Sequence, residues 1–97
     1  MSDVAFLEKL EAVIRQRIAA APESSYTARL AAQGILKVAQ KVGEEGVEVA
    51  LAAAAQDKAR VTAESADLVY HLLLLLRLRE LSLADVIEEL ESRHRVS

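Results

Sequence analysis

The stretch Glu64-Ser65-Ala66-Asp67-Leu68-Val69-Tyr70-His71-Leu72-Leu73-Leu74-Leu75-Leu76-Arg77 decides how this chain folds. It holds no Pro or Gly, and its apolar residues fall on more than one side of a 3.6-residue helix. Leu68, Leu72 and Leu75 make one stripe; Val69, Leu73 and Leu76 make another. A surface helix needs a single apolar face, whereas one that is apolar nearly all round has to be covered from several sides. Asp57 is placed to cap it, so the pattern predicts a helix from about Lys58 to Arg79. The leucine run is too short for a bilayer, which needs ~20 apolar residues, and Arg77 and Arg79 end it. The other helical segments have little surface with which to wrap this one. A homodimer with the Leu-rich stretch near its interface is therefore expected.

Three further segments read as helical. The first starts behind Ser2 or Asp3 and carries Leu7, Leu10, Ile14 and Ile18 on one face, ending near Ala20 before Pro22. Residues 21–25 form the clearest loop. A second segment runs from about Tyr26 to Ala55, with Ser25 or Thr27 as cap and Gly34 placed to break or kink it. Beyond Gly34, Ile35, Val38, Val42 and Val49 align. The last helix begins at Ser82, where Ser82-Leu83-Ala84-Asp85 resembles a capping box, and runs to about His94.

Composition supports the same architecture. Apolar residues are 53% of the 97, aromatics only 3%, and one Pro and three Gly leave little to interrupt helices. The expected fold is all-α: one domain over 1–97, a compact bundle of four to five helices. Net charge is −3 with the signs interspersed, so no clustered Lys and Arg stand ready for a nucleic-acid backbone. With no Cys, thiolate metal sites and disulfides are excluded. The N-terminal residues lack the basic-then-apolar pattern of a secretory signal, and a soluble cytoplasmic protein is expected.

The acidic residues carry the chemistry. Lys37, Lys41, Glu45 and Glu48 lie in one strip beside the apolar stripe of the second segment, with Glu44 just beyond it. On the third, Glu64, Asp67 and His71 share a face at i, i+3 and i+7. Each helix thus sets a pair of carboxylates, three residues apart, beside its apolar seam. If the helices pack antiparallel, the pairs converge. Converging carboxylates stay ionised only when a cation neutralises them; otherwise one takes up a proton with a raised pKa. An all-oxygen cluster suits Mg²⁺, which keeps several waters and completes its shell with phosphate oxygens. Lys37 and Lys41, one and two turns upstream, stand where such phosphates need cations. The arrangement suits hydrolysis of a phosphoanhydride.

Blander readings exist for each feature. Glu-x-x-Glu on a helix is commonly a solvated face, Lys41 and Glu45 form an ordinary i, i+4 pair, and His71 reads equally well as a core residue. Glu91 and His94 have the spacing of a di-iron motif, but such sites need two copies plus two more Glu.

Three blocks together resemble the phosphoribosyl-ATP pyrophosphohydrolases of histidine biosynthesis, within the all-α MazG-type NTP pyrophosphatases. They are Ser25-Tyr26-Thr27-Ala28-Arg29-Leu30, Lys41-Val42-Gly43-Glu44-Glu45-Gly46-Val47-Glu48, and Glu64-Ser65-Ala66-Asp67-Leu68-Val69-Tyr70-His71-Leu72-Leu73. The superfamily hallmark is E-x-x-E followed by E-x-x-D; the blocks narrow it. Gly46, where many relatives have Ala, departs from the pattern without removing a functional group. The resemblance implies hydrolysis of phosphoribosyl-ATP to phosphoribosyl-AMP and pyrophosphate with Mg²⁺, by a stand-alone enzyme. It implies Glu45, Glu48, Glu64 and Asp67 as metal ligands, with Glu44, Glu45 and Glu48 serving catalysis. Lys37 and Lys41 would hold phosphates, and Tyr26, Thr27 and His71 would meet the substrate. Two alternatives share the sequence features: a house-cleaning nucleoside triphosphate pyrophosphatase, and a non-catalytic helical dimerisation module.

Overall fold

A computed structural model describes residues 3–55 and 57–95. They form five α-helices: α1 (Phe6–Ile18), α2 (Tyr26–Ala32), α3 (Ile35–Ala54), α4 (Lys58–Leu78) and α5 (Leu83–Arg95), with a 3-10 turn at Pro22–Ser24. The fold is all-α, as the composition predicts. Among the described residues no helix is long and apolar enough to cross a membrane.

Local chemistry sets most boundaries. Asp3 accepts a hydrogen bond from the Ala5 amide at 2.9 Å near the start of α1; Ser2, the other candidate cap, lies outside the described residues. Ser25 caps α2 by accepting from the Ala28 amide, and Asp57 caps α4 by accepting from that of Arg60. At the entry to α5 the Ser82 amide donates to Asp85 at 2.9 Å, which is the backward half of the capping box. The long second segment is divided at Gly34, whose φ of 100° is open to glycine and strained for any other residue. α2 and α3 are therefore separate helices.

One terminus is less regular. α4 ends where Glu80 takes a left-handed φ of 60°, and the Leu81 amide closes back on the Leu76 carbonyl at 2.8 Å. This six-to-one bond usually has Gly at the left-handed position. Nothing in the local sequence announces it.

α3 and α4 pack antiparallel along most of their length. Val38 meets Leu73 and Leu74 at one end, Glu45 approaches Glu64 and Asp67 in the middle, and Glu48 and Ala52 share a cleft with Arg60 at the other. The core gathers Ile14 of α1, Leu30 of α2, Val38 of α3, and Leu73 and Leu74 of α4, with Leu7, Leu10 and Ile18 packed around it. Burying a leucine fully contributes about 1.5–3 kcal/mol, so Leu73 and Leu74 are principal holdings of the bundle.

The Leu-rich run is better covered within one chain than its pattern implies. Leu73 and Leu74 are buried, and Leu72, Leu75 and Leu76 are half-buried. Most of the large apolar side chains left exposed lie elsewhere, including Leu36, Val47 and Leu51 on α3 and Ile87 and Leu90 on α5. The reason is that α1 and α2 both pack against α4, with Ile14 and Leu30 meeting Leu73 and Leu74, which the sequence pattern cannot show.

Candidate active site

The antiparallel register brings the two acidic pairs face to face. Glu45 is 9% exposed, because its position on α3 faces α4 rather than water. Carboxylate oxygens of Glu45, Glu64 and Asp67 all lie within 4.8 Å of one another. Glu48, one turn beyond Glu45, is exposed and outside this trio, yet its charge acts on Glu64. Glu64 is held above the ordinary carboxylate range, first by loss of solvent and then by the charges of Glu45, Glu48 and Asp67. Arg60 acts weakly in the opposite sense.

This donor set fits a hard divalent cation. Three carboxylates supply only oxygen, and their separation is close to twice the ~2.1 Å of a magnesium–oxygen bond. Their mutual repulsion, which adds to loss of solvent in raising the Glu64 carboxyl, is what a cation relieves. Glu45, Glu64 and Asp67 are the residues that would hold it, with Glu48 within reach of the same charge.

The lysines and Glu44 occupy one flank. Lys41 Nζ stands 3.6 Å from Glu45 and 3.8 Å from Glu44. Glu44 is not one of the trio; it shares Lys41 with Glu45 and accepts a hydrogen bond from Gln40 at 2.9 Å. That bond, followed by the charges of Lys41 and Lys37, keeps Glu44 below the ordinary range and hence ionised. Lys37 is half-buried one turn earlier. At the other end lies an open cleft of about 400 Å³ lined by Glu48, Leu51, Ala52, Ala55, Asp57 and Arg60.

Tyr26, Thr27 and His71 form a junction between α2 and α4. The Tyr26 hydroxyl is 2.8 Å from His71 Nε2, and His71 Nδ1 is 2.8 Å from the Asp67 carbonyl oxygen. Thr27 bonds the Tyr70 hydroxyl. Thr27 and His71 are enclosed, at 1% and 5% exposure, and both ring nitrogens of His71 are engaged; Tyr26 is the exposed member of the group. Burial, together with Tyr26, pushes the Tyr70 hydroxyl above its usual value.

Sequence reasoning missed Tyr70, Gln40 and Glu11. Gln40 had a usable signal, since it sits at i, i+4 from Glu44. Tyr70 had none, because its partner is 43 residues away. Nor had Glu11, which accepts a 2.7 Å hydrogen bond from the Leu83 amide at the start of α5.

Comparison with known proteins agrees with this geometry. A family model described as phosphoribosyl-ATP pyrophosphohydrolase matches residues 7–94. The histidine biosynthesis bifunctional protein HisIE of Photobacterium profundum is 60% identical over 89 residues, covering 92% of this chain and 43% of that protein. That of Pasteurella multocida is 59% identical over 92 residues, covering 95% and 46%. The chain thus spans less than half the length of these bifunctional relatives. The phosphoribosyl-ATP pyrophosphatase of Pyrobaculum aerophilum is 62% identical over 86 residues, covering 89% of this chain and 92% of that one. With a match over nearly all its length, and with the acidic pairs facing each other across α3 and α4, the chain belongs to the phosphoribosyl-ATP pyrophosphohydrolase family.

Proposed function

We propose that this chain hydrolyses phosphoribosyl-ATP to phosphoribosyl-AMP and pyrophosphate, the second step of histidine biosynthesis. The observation that carries this reading is the meeting of Glu45, Glu64 and Asp67 oxygens within 4.8 Å, in a chain of this family. Mg²⁺ is the cofactor the donor set favours, held by these residues with Glu48. When bound, it would neutralise the polyphosphate and activate a water. The chain's own residues do the rest. Lys41, beside Glu45, and Lys37 one turn away supply cations for phosphate oxygens, and Arg60 supplies another across the cluster. Glu44, kept ionised by Gln40 and the lysines, is a ready hydrogen-bond acceptor for a water near the cluster.

We also propose that the chain works as a homodimer. The exposed Leu36, Val47 and Leu51 of α3, with Ile87 and Leu90 of α5, support a second copy covering them. Light scattering at micromolar concentration tests this, and a monomer would refute it.

The direct test of the activity is incubation of purified protein with phosphoribosyl-ATP and Mg²⁺. Pyrophosphate release that EDTA stops is expected. Folded protein that releases none would overturn the reading. Faster turnover of free nucleoside triphosphates than of phosphoribosyl-ATP would favour a house-cleaning pyrophosphatase instead.

A further inference from the structure

Six positions along α3 and its C-cap fall on one line of the helix surface. At 3.6 residues per turn, Lys37, Lys41, Glu45, Glu48, Ala52 and Ala55 lie within about 80° of one another. The line changes character along its length. It begins with two cations, passes through the carboxylates beside Glu64 and Asp67, and ends in two small apolar side chains. From Lys41 to Ala55 it runs about 21 Å, at 1.5 Å per residue.

At the apolar end, α4 contributes Arg60 and its cap Asp57. There Glu48, Leu51, Ala52, Ala55, Asp57 and Arg60 enclose the open cleft of about 400 Å³, a size that suits a small molecule. Glu48 is one turn beyond Glu45 and Arg60 is one turn before Glu64, so the cleft adjoins the acidic trio. The two ends of the line differ in charge. Lys37 and Lys41 have one exposed carboxylate beside them, that of Glu44, whereas in the cleft Glu48 and Asp57 outnumber Arg60. Asp57 commits one oxygen to the Arg60 amide. The Arg60 guanidinium forms no ion pair among the described residues.

We propose that the substrate lies along this line in one direction, with the departing pyrophosphate against Lys37 and Lys41 and the nucleoside in the cleft between Glu48 and Arg60. The proposal rests on the hydrolytic reading above and deepens it. Pyrophosphate is the most highly charged part of the substrate, and a cleft with two carboxylates to one guanidinium repels it. A nucleoside fits there. Its base presents flat apolar faces to Ala52 and Ala55, and its ribose hydroxyls donate to carboxylates. Arg60, at the border of cleft and trio, is free to grip the α-phosphate that stays with the nucleoside. The anhydride to be cut then lies over Glu45, Glu64 and Asp67. Leu51 is the one lining residue shared with the face assigned above to a second copy.

Calorimetric titration of the full chain in Mg²⁺, with AMP and separately with inorganic pyrophosphate, tests the direction without requiring turnover. Ala55→Leu narrows the cleft, and Arg60→Gln removes its cation. Both residues are exposed, and circular dichroism checks that the helices remain. Each variant should weaken AMP binding about tenfold or more and leave pyrophosphate binding within about twofold. Lys41→Gln should do the reverse. The opposite pattern, equal weakening of both ligands, or AMP binding that neither cleft variant alters overturns the proposal. So does an unaltered protein that binds pyrophosphate and not AMP. Failure of the hydrolytic reading shows separately, as no release of pyrophosphate from phosphoribosyl-ATP while this pattern of binding persists.

Discussion

Two regions of this molecule are rich in carboxylates and use them oppositely. On α3 and α4, Glu45, Glu64 and Asp67 crowd together where the two helices face each other. On α5, Asp85, Glu88, Glu89 and Glu91 are all exposed, and that helix has no buried residue. There Asp85 caps its own helix and Glu89 pairs with Arg93 at 3.0 Å, four residues on. Both regions have acidic residues at helical spacing beside apolar ones. What separates them is a second helix bringing its own acids up to the first. Confronting two acidic faces creates repulsion that invites a cation, whereas a lone acidic face is simply hydrated.

The sharpest way to break that contrast is to neutralise one acid in each region. Glu45→Gln should lower turnover by more than the roughly 10- to 100-fold that loss of a residue behind a metal ligand costs. Its circular dichroism should stay helical. Glu88→Gln on α5 should leave turnover unchanged. Equal effects from the two variants would mean that crowding of the acids is irrelevant to catalysis.

A second comparison uses pH. The folded chain raises the Glu64 carboxyl, so it holds that proton more tightly than the unfolded chain does. This contribution to stability is fully present below the unfolded value of Glu64 and is lost as pH climbs through the raised, folded value. Mg²⁺ competes with the same proton, so its stabilising effect should grow over that window. At ten times its dissociation constant it should add about 1.4 kcal/mol, or roughly 5–10 °C in Tm for a domain this size. Thermal melts across pH with Mg²⁺ and with EDTA measure this. A Mg²⁺ effect that shrinks as pH rises would contradict it.

Smaller effects probe how α5 is attached. Glu11→Ala removes the carboxylate that accepts from the Leu83 amide, and by analogy with a lost helix cap should cost about 1 kcal/mol. Hydrogen exchange should accelerate at the start of α5 and not in α3. The smallest effect belongs to Glu89→Gln, whose exposed pair with Arg93 is worth at most about 0.3–0.5 kcal/mol. A denaturant midpoint moving as far for Glu89→Gln as for Glu11→Ala would erase the distinction between tertiary and local contacts.

Most helix boundaries were legible because their causes are local. Asp57 at the head of α4, Ser82 with Asp85 at the head of α5, and Gly34 between α2 and α3 each act over a few residues. The apolar face of α1 was legible for the same reason, and Leu7, Leu10, Ile14 and Ile18 all join the core. The site was legible in part. Spacing beside the apolar seams marked Glu45, Glu64 and Asp67, but it gave Glu48 equal standing, and Glu48 sits outside the closest group. The covering of the leucine run by α1 and α2 and the enclosure of Thr27 gave no such sign, whereas the burial of His71 is one of the two readings its spacing allows.

By itself, the amino-acid order determined which residues become helical, where the helices stop, and which carboxylates share a face, since those follow from backbone chemistry within a turn or two. Tertiary packing alone decided which acids meet, which histidine is locked against a tyrosine, and which carboxylate anchors α5. Those outcomes depend on groups up to 72 residues apart being brought within hydrogen-bonding distance. Only the burial of a shared core does that, because short-range periodicity carries no record of which face a distant helix will cover.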